Sequence, residues 1–254
     1  MTVPAGWQCD ALTRRLRIWQ RIDGHKATSD DLLLAWLAAR EAPAALRALD
    51  LGTGKGTVAL LLTQLLPTVH VLGVEAFPES HALALRNIEE NGVSDRFEAR
   101  LGDLRDGDVL AGCGPFDLVT GAPPFMPLGS GVLPRDPQRA AGRFEVRGGV
   151  EAYVQTGAAR LARSPSARLA ILMDGAGGAR AVRAFASQAL AVHRVVAVAP
   201  RPDRQPTYRI VVGGWPDEGA TASPAVQESL SMRDAVGDGW SAEYLAVRRA
   251  LDLP

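Results

Sequence analysis

The sequence predicts an α/β fold built on a mostly parallel sheet with helices on both faces. Strand-like and helix-like segments alternate from about residue 30 to about residue 213, which is typical of doubly wound folds. The first strand also enters a glycine-rich turn that opens a helix. The candidate strands are seven short segments rich in apolar residues, at 48–51, 69–75, 96–101, 116–120, 167–173, 191–199 and 207–212.

Six helices are predicted before, between and after these strands. The first is expected to be capped by Ser29 or Asp30, since both residue types are preferred at N-caps. Pro78 occupies a first-turn position that proline tolerates, and Asn91-Gly92 is a typical helix end. The predicted helices cover residues 30–40, 57–66, 78–91, 150–162, 178–191 and 241–251, and residues 213–229 are predicted to form a loop.

The composition is that of an ordinary globular protein. The chain has 254 residues, of which 47% are hydrophobic and 22% charged, and this excludes disordered and collagen-like chains. The 28 Lys+Arg balance the 28 Asp+Glu, which argues against an extended nucleic-acid-binding surface. Cys9 and Cys113 lie far apart, so neither a zinc ribbon nor a disulfide framework is expected. Without a long apolar run or a signal-peptide pattern, a cytoplasmic protein with no membrane partner is expected.

Residues 121–149 form the longest segment without a predicted element. They contain five prolines and six glycines, which is too many for a regular helix or strand. Long loops in compact domains are uncommon and usually functional. Because this loop follows a strand directly, it is expected at the carboxyl edge of the sheet, where open α/β folds bind ligands.

The glycine-rich turn, Leu-Asp-Leu-Gly-Thr-Gly-Lys-Gly-Thr at residues 49–57, is the sharpest local signal. Glycines there allow backbone N–H groups and a helix N-terminus to approach a ligand. A phosphate-binding P-loop is excluded, because Gly56 follows Lys55 and leucine occupies position 49. A dinucleotide fingerprint is disfavoured, because the third glycine is at position 56 instead of 57.

Three acids follow three successive strands, in a pattern seen in methyltransferases that use S-adenosylmethionine. Glu75 ends the second strand, where a carboxylate can accept both ribose hydroxyls, and Asp103 follows the third, where it can accept from the adenine amino group. Asp50 can orient the glycine turn and approach the methionine amino group. The alternative is that these acids and glycines are only turn residues of another α/β protein.

Residues 116–125, Phe-Asp-Leu-Val-Thr-Gly-Ala-Pro-Pro-Phe, resemble motif IV of amino-group methyltransferases. In that motif an Asn, Asp or Ser side chain and a proline carbonyl accept the two N–H bonds of a poorly nucleophilic amine, and the aromatic residue stacks on the base. Pro123, Pro124 and Phe125 match, whereas Ala122 lacks the side-chain acceptor. The alternative reading of the prolines is a rigid strand exit. Candidates for a compensating acceptor are Thr120, Glu145 and Glu151.

Over most of its length the sequence resembles the bacterial valine-tRNA adenine-N6 methyltransferase family. The resemblance implies a Rossmann-like class I methyltransferase: a three-layer, doubly wound, seven-stranded sheet with an antiparallel last strand. It implies a substrate- and cofactor-covering extension at residues 1–29, a methyltransferase domain at residues 30–254, and S-adenosylmethionine as methyl donor. The cofactor-binding residues it implies are Lys26, Thr28, Asp30, Asp50, Gly52, Thr53, Gly54, Gly56, Glu75, Ala76, Phe77, Asp103 and Leu104, and the methyl-acceptor residues are Ala122, Pro123, Pro124 and Phe125.

The expected partner is tRNA or another RNA with an adenine amino group as acceptor. The arginines spaced by four in the long loop could contact phosphate: Arg135, Arg139, Arg143 and Arg147. Their alternative role is a solvated face, and His25 is expected to be an ordinary packed or exposed histidine. A small molecule or protein side chain held by residues 129–147 is the alternative acceptor. A non-catalytic S-adenosylmethionine- or RNA-binding module and a nicotinamide-dependent oxidoreductase are further alternatives.

Overall fold

A mixed eight-stranded sheet forms the centre of the structure, a computed structural model that describes residues 5–216 and 224–253. A separate antiparallel hairpin precedes it, formed by β1 (Trp7–Ala11) and β2 (Arg17–Arg21). The strands of the sheet are β3 (Arg47–Leu51), β4 (His70–Glu75), β5 (Phe97–Leu101), β6 (Leu118–Gly121), β7 (Arg168–Asp174), β8 (Ala191–Ala199), β9 (Tyr208–Gly214) and β10 (Val226–Ser231).

The strand order is β10-β8-β9-β7-β6-β3-β4-β5. Strands β3 to β7 pair in parallel, and β9 is antiparallel to both β7 and β8. The mostly parallel, doubly wound fold with an antiparallel last strand is thus confirmed, and each of the seven predicted strands is present. Because the parallel strands β3 to β6 end at one edge, the loops that carry the glycine turn, the acids and the prolines meet there.

The eighth strand, β10, is a correction to the predicted loop at 213–229, of which residues 217–223 lie outside the described part. It pairs in parallel with β8 at the edge of the sheet. Its residues are exposed except for buried Leu230 and half-buried Ser231. An edge strand with one buried apolar residue carries little of the hydrophobic pattern from which strands are predicted.

Helices cover both faces of the sheet, as predicted. They are α1 (Ser29–Glu41), α2 (Thr57–Leu65), α3 (Pro78–Asn91), α4 (Pro137–Arg143), α5 (Val150–Arg160), α6 (Gly178–Ser187) and α7 (Ala242–Ala250). One hydrophobic core contains side chains of α1, α2 and α7, and a second contains side chains of α5 and α6. Among the described residues, no helix has the length and apolar character needed to span a membrane.

Two helix starts differ from the sequence-based expectation. Helix α1 is capped by Thr28 instead of Ser29 or Asp30, and the Thr28 N–H donates to Asp31 Oδ2 at 3.3 Å in a capping box. Helix α4 lies inside the loop predicted to be irregular. It forms because Asp136 accepts from the Arg139 N–H at 2.9 Å and Pro137 occupies the first turn, so local capping outweighs the surrounding prolines and glycines.

The N-terminal hairpin is held against α3 by two asparagines, although no element was predicted before residue 29. The Asn91 side chain accepts from the Arg17 N–H and donates to the Arg17 carbonyl, both at 2.9 Å. Asn87, fully buried, makes the same pair of bonds with Trp19, and its amide also donates to the Lys55 carbonyl at 2.8 Å. The hairpin is therefore connected through α3 to the glycine turn.

Candidate cofactor and substrate sites

A cavity lies at the carboxyl ends of β3 to β6, under the long loop. It collects most of the residues that the sequence singled out. Those lining it are Asp30, Gly52, Thr53, Gly54, Glu75, Ala76, Phe77, Asp103, Leu104, Ala122, Pro123, Pro124, Phe125 and Arg147. The predicted residues that do not line it are Lys26, Thr28, Asp50, Gly56, Arg135, Arg139 and Arg143.

Gly54 provides the open part of the turn. Its φ is +59°, and a Cβ built on it would approach no other residue more closely than 4.0 Å, so a side chain there would project into the cavity. The other two glycines are packing positions. A Cβ at Gly52 would collide with the Tyr153 hydroxyl, and one at Gly56 would lie 2.9 Å from the Phe97 ring. Gly56 is thus required for packing and does not face the cavity.

Glu75 is held by two backbone donors at the end of β4. Its Oε2 accepts from the Gly54 N–H at 2.8 Å and its Oε1 from the Phe77 N–H at 2.7 Å. Burial raises the pKa of Glu75, and the two hydrogen bonds oppose that shift. The carboxylate is therefore fixed in one orientation beside the turn, where its remaining lone pairs can accept from a pair of hydroxyl groups.

Asp50 lies behind the turn, outside the cavity lining. Its two oxygens accept from the hydroxyls of Thr53 at 2.6 Å and Thr120 at 2.8 Å, and burial raises its pKa to about 6. The predicted orienting role fits these contacts. The predicted approach to a methionine amino group does not fit, because Asp50 is buried behind the turn and does not line the cavity.

Asp103 lies in the cavity at the carboxyl end of β5, and its carboxylate pairs with Arg105. Arg105 donates to both of its oxygens, at 2.9 and 2.7 Å, and these bonds lower the pKa of Asp103. It is therefore ionised near neutral pH and keeps acceptor capacity for an amino group.

The residues that line the cavity without having been predicted as site residues include Asp31, Lys55, Tyr153, Ser80 and Gln138. Gln138 of α4 donates to the Ser80 hydroxyl at 3.0 Å, which fastens the long loop to α3. Asp31 and Lys55 carry charge, and each lies next to a predicted site residue: Asp31 follows Asp30, and Lys55 follows Gly54. What the sequence did not reveal is their burial.

A second cavity adjoins the first and shares His25, Asp30, Phe125 and Gly142 with it. Four of the predicted residues missing from the first cavity line this one: Lys26, Thr28, Arg139 and Arg143. The Phe125 ring lies 6.4 Å from the ring of Tyr208, centroid to centroid, at 53°. The proline motif therefore stands between two cavities. Arg135 is exposed and lines neither.

The three candidates for a compensating acceptor beside Ala122 are engaged elsewhere. The Thr120 hydroxyl donates to Asp50, and Glu145 and Glu151 both pair with Arg180. Among the described residues, Asp30 is the carboxylate that lines both cavities. It is therefore a side-chain acceptor within reach of both cavities, with its Oδ1 also accepting from the Thr28 hydroxyl.

Comparison with known proteins identifies the family. A model of the methyltransferase domain matches residues 48–129. The chain is 31% identical over 224 residues to the tRNA1(Val) (adenine(37)-N6)-methyltransferase of Porphyromonas gingivalis strain ATCC 33277, covering 86% of this chain and 84% of that protein. The chain belongs to this family of methyltransferases.

Two further matches support the family and the fold, respectively. The protein of the same name from P. gingivalis strain W83 is 33% identical over 148 residues, 57% of this methyltransferase and 56% of the relative. The crystal structure of a predicted O-methyltransferase from Agrobacterium tumefaciens superposes with a TM-score of 0.64 at 20% identity, covering 89% of this chain and 98% of that one. At that identity the superposition supports the fold alone.

The methyltransferase uses S-adenosylmethionine as its methyl donor, and the first cavity fits that cofactor. The space in front of Gly54 admits a ligand against the backbone, and Glu75 offers two oxygens to a diol. Along the sheet edge, Asp103, Glu75 and Gly54 follow β5, β4 and β3 in spatial order. The adenine, the ribose and the methionine end of the cofactor can therefore follow the same order.

Proposed function

We propose that this methyltransferase methylates the exocyclic amino nitrogen of an adenine in tRNA. The observation that carries the proposal is the position of Pro123-Pro124-Phe125 between the cofactor cavity and a second cavity with cationic residues in its lining. The family relatives, named as tRNA adenine-N6 methyltransferases, support the same acceptor. A tRNA substrate would also agree with the expected cytoplasmic location.

Each part of the proline motif has a role in this proposal. Bound S-adenosylmethionine supplies an electrophilic methyl group on a sulfonium. The Phe125 ring stacks on the adenine and sets the angle at which the amine approaches. A carbonyl of the motif accepts one amine N–H, and Asp30 accepts the other in place of the side chain that Ala122 lacks. These acceptors localise the nitrogen lone pair. The amine loses its proton to Asp30 or to water as the new N–C bond forms and the bond from the methyl group to sulfur breaks, with S-adenosylhomocysteine as the leaving group.

The remaining predicted site residues divide between the two cavities. Gly52, Thr53, Gly54, Glu75, Ala76, Phe77, Asp103 and Leu104 would hold the cofactor, with Asp50 and Gly56 supporting the turn from behind. Lys26, Thr28, Arg139 and Arg143 would act on the acceptor side. Since Lys+Arg and Asp+Glu are equal in number, RNA binding would rest on such local cations. The N-terminal extension at residues 1–29 would support both cavities through Lys26 and His25.

The test uses methyl-labelled S-adenosylmethionine with an unmodified valine tRNA transcript, and a matched transcript with guanine replacing the adenine at position 37. Label recovered as N6-methyladenosine from the first transcript alone supports the proposal. Label in another nucleoside, or equal label in both transcripts, contradicts it. Label found only in proteins or small molecules of a cell extract would assign the acceptor to those classes, and cofactor binding without transfer to any fraction would indicate a non-catalytic module.

A further inference from the structure

Lys55 is a buried cation without a partner in the described part of the chain. Its residue is 7% exposed, and it lies in the glycine turn among the residues lining the cofactor cavity. Among residues 5–216 and 224–253, its ammonium makes no hydrogen bond and no ion pair within 4.0 Å. A buried charge without a hydrogen-bonded counter-ion is costly, so the position is suited to an anion that enters the cavity.

Asp31 lines the same cavity from the N-terminus of α1. Its Oδ2 accepts from the Thr28 N–H, which fixes the carboxylate at the start of the helix. Burial raises its pKa to about 7 even though Lys55 lies near enough to lower it. The methionine end of the cavity thus offers one cation and one anion, which attract each other but are not joined by a hydrogen bond or by an ion pair within 4.0 Å.

The methionine end of S-adenosylmethionine carries one charge of each sign, an α-carboxylate and an α-ammonium. We propose that Lys55 binds the α-carboxylate and Asp31 the α-ammonium, so that the two residues together recognise the amino-acid end of the cofactor. Charge-assisted hydrogen bonds in such a site are stronger and shorter than neutral ones. The pairing would also neutralise the charges of buried Lys55 and half-buried Asp31 at once.

The other candidates for this end are less well placed. Lys26 lines the second cavity and not the first, and Asp50 lines neither cavity. Asp30 lines both cavities and is assigned above to the acceptor amine. The inference requires only that the chain binds S-adenosylmethionine, so it is independent of the methyl acceptor.

The test measures binding by calorimetry with two ligands, S-adenosylhomocysteine and 5′-methylthioadenosine, which lacks the amino-acid end. Lys55→Met is expected to weaken S-adenosylhomocysteine binding by about 30-fold, a typical effect of removing one partner of a buried charge pair. Its affinity for 5′-methylthioadenosine should stay within about twofold of the wild type, which also reports that the cavity is folded. Arg249→Met on α7, which lines neither cavity, is the control and should change neither affinity.

A second variant tests the other half of the pair. Asp31→Asn keeps the shape of the residue and is expected to weaken S-adenosylhomocysteine, while an analogue without the α-amino group binds the variant and the wild type equally. Equal losses for both ligands in Lys55→Met, or a selective loss in Arg249→Met, would overturn the inference. Failure of the tRNA assay would leave these binding results unaffected.

Discussion

Gly54 lets the backbone of the glycine turn approach the cofactor. Gly54→Asp should abolish S-adenosylmethionine binding, because its side chain would enter the cavity beside the Glu75 carboxylate and repel it. Gly92→Asp is the control, since Gly92 has a similar φ of +62° and no atom within 4 Å of a built Cβ, but lies at the end of α3. Calorimetry should show loss of binding in the first variant only. Equal loss in both would assign the effect to backbone strain.

Phe125 is expected to act on the methyl acceptor more than on the cofactor. Stacking on an aromatic ring contributes about 1–3 kcal/mol per base, so Phe125→Ala should lower kcat/KM for tRNA by about 10- to 100-fold. The Kd for S-adenosylmethionine should change little, and Phe125→Tyr should retain most of the activity. An Ala variant with wild-type kcat/KM would remove stacking from the mechanism.

Asp31 makes cofactor affinity depend on pH. Burial raises the pKa of its carboxyl to about 7, with Lys55 opposing that shift and Asp30 and Asp50 adding to it. A bound ammonium would lower this pKa, so binding would release protons and tighten as pH rises. Affinity for S-adenosylmethionine should increase by about fivefold between about pH 6 and 7.5. The dependence should disappear in Asp31→Asn, and an unchanged slope in that variant would contradict the assignment.

Individual site residues were predictable where the conformation or the hydrogen bonding of the backbone requires a particular residue type. The turn glycines, Glu75 and the proline motif belong to this class, since a close approach or a rigid carbonyl requires them. Lys55 and Asp31 were not, because burial of a charge depends on elements distant in sequence that close over it. Gly56 was misplaced for a similar reason: its absent side chain accommodates Phe97 of β5, not a ligand.

At the scale of elements, the attachment of the N-terminal hairpin to α3 depends on the hydrogen bonds of Asn87. Asn87→Ala would leave the Trp19 and Lys55 backbone groups without its hydrogen bonds. We expect the free energy of unfolding to fall by about 2–4 kcal/mol, measured by urea denaturation. Asn91→Ala, which removes bonds at the more exposed Arg17, should cost about 1 kcal/mol. Equal costs would mean that burial of the amide is unimportant.

Elements were predictable where the hydrophobic period or a cap was strong. The buried parallel strands and α3, with its proline start and glycine end, were predicted within a few residues. The hairpin was not predicted because backbone groups of β2 bond to side-chain amides of α3 instead of to a further strand. That partner lies about 70 residues further along the chain, beyond the reach of any local pattern.

At the scale of the whole molecule, the neutral chain would bind RNA through a small cationic region. The double variant Arg139→Gln/Arg143→Gln should raise KM for tRNA and reduce the slope of log K against log salt by about 2, one for each lost phosphate contact. Arg249→Gln on α7, which lines neither cavity, is the control. Filter binding at several salt concentrations measures both. Identical slopes in the double variant and the control would place RNA elsewhere on the surface.

The attachment of the hairpin to α3 also sets an order for synthesis on the ribosome. The chain reaches the end of β2 at Arg21, but Asn87, the buried anchor shared by Trp19 and the glycine turn, comes 66 residues later. At about 5–20 residues per second, the hairpin waits roughly 3–13 s for its docking surface. Because the same asparagine also donates to the Lys55 carbonyl, the glycine turn completes its contacts no earlier than the hairpin does. The nascent methyltransferase should therefore acquire its cofactor site only after α3 has left the ribosome.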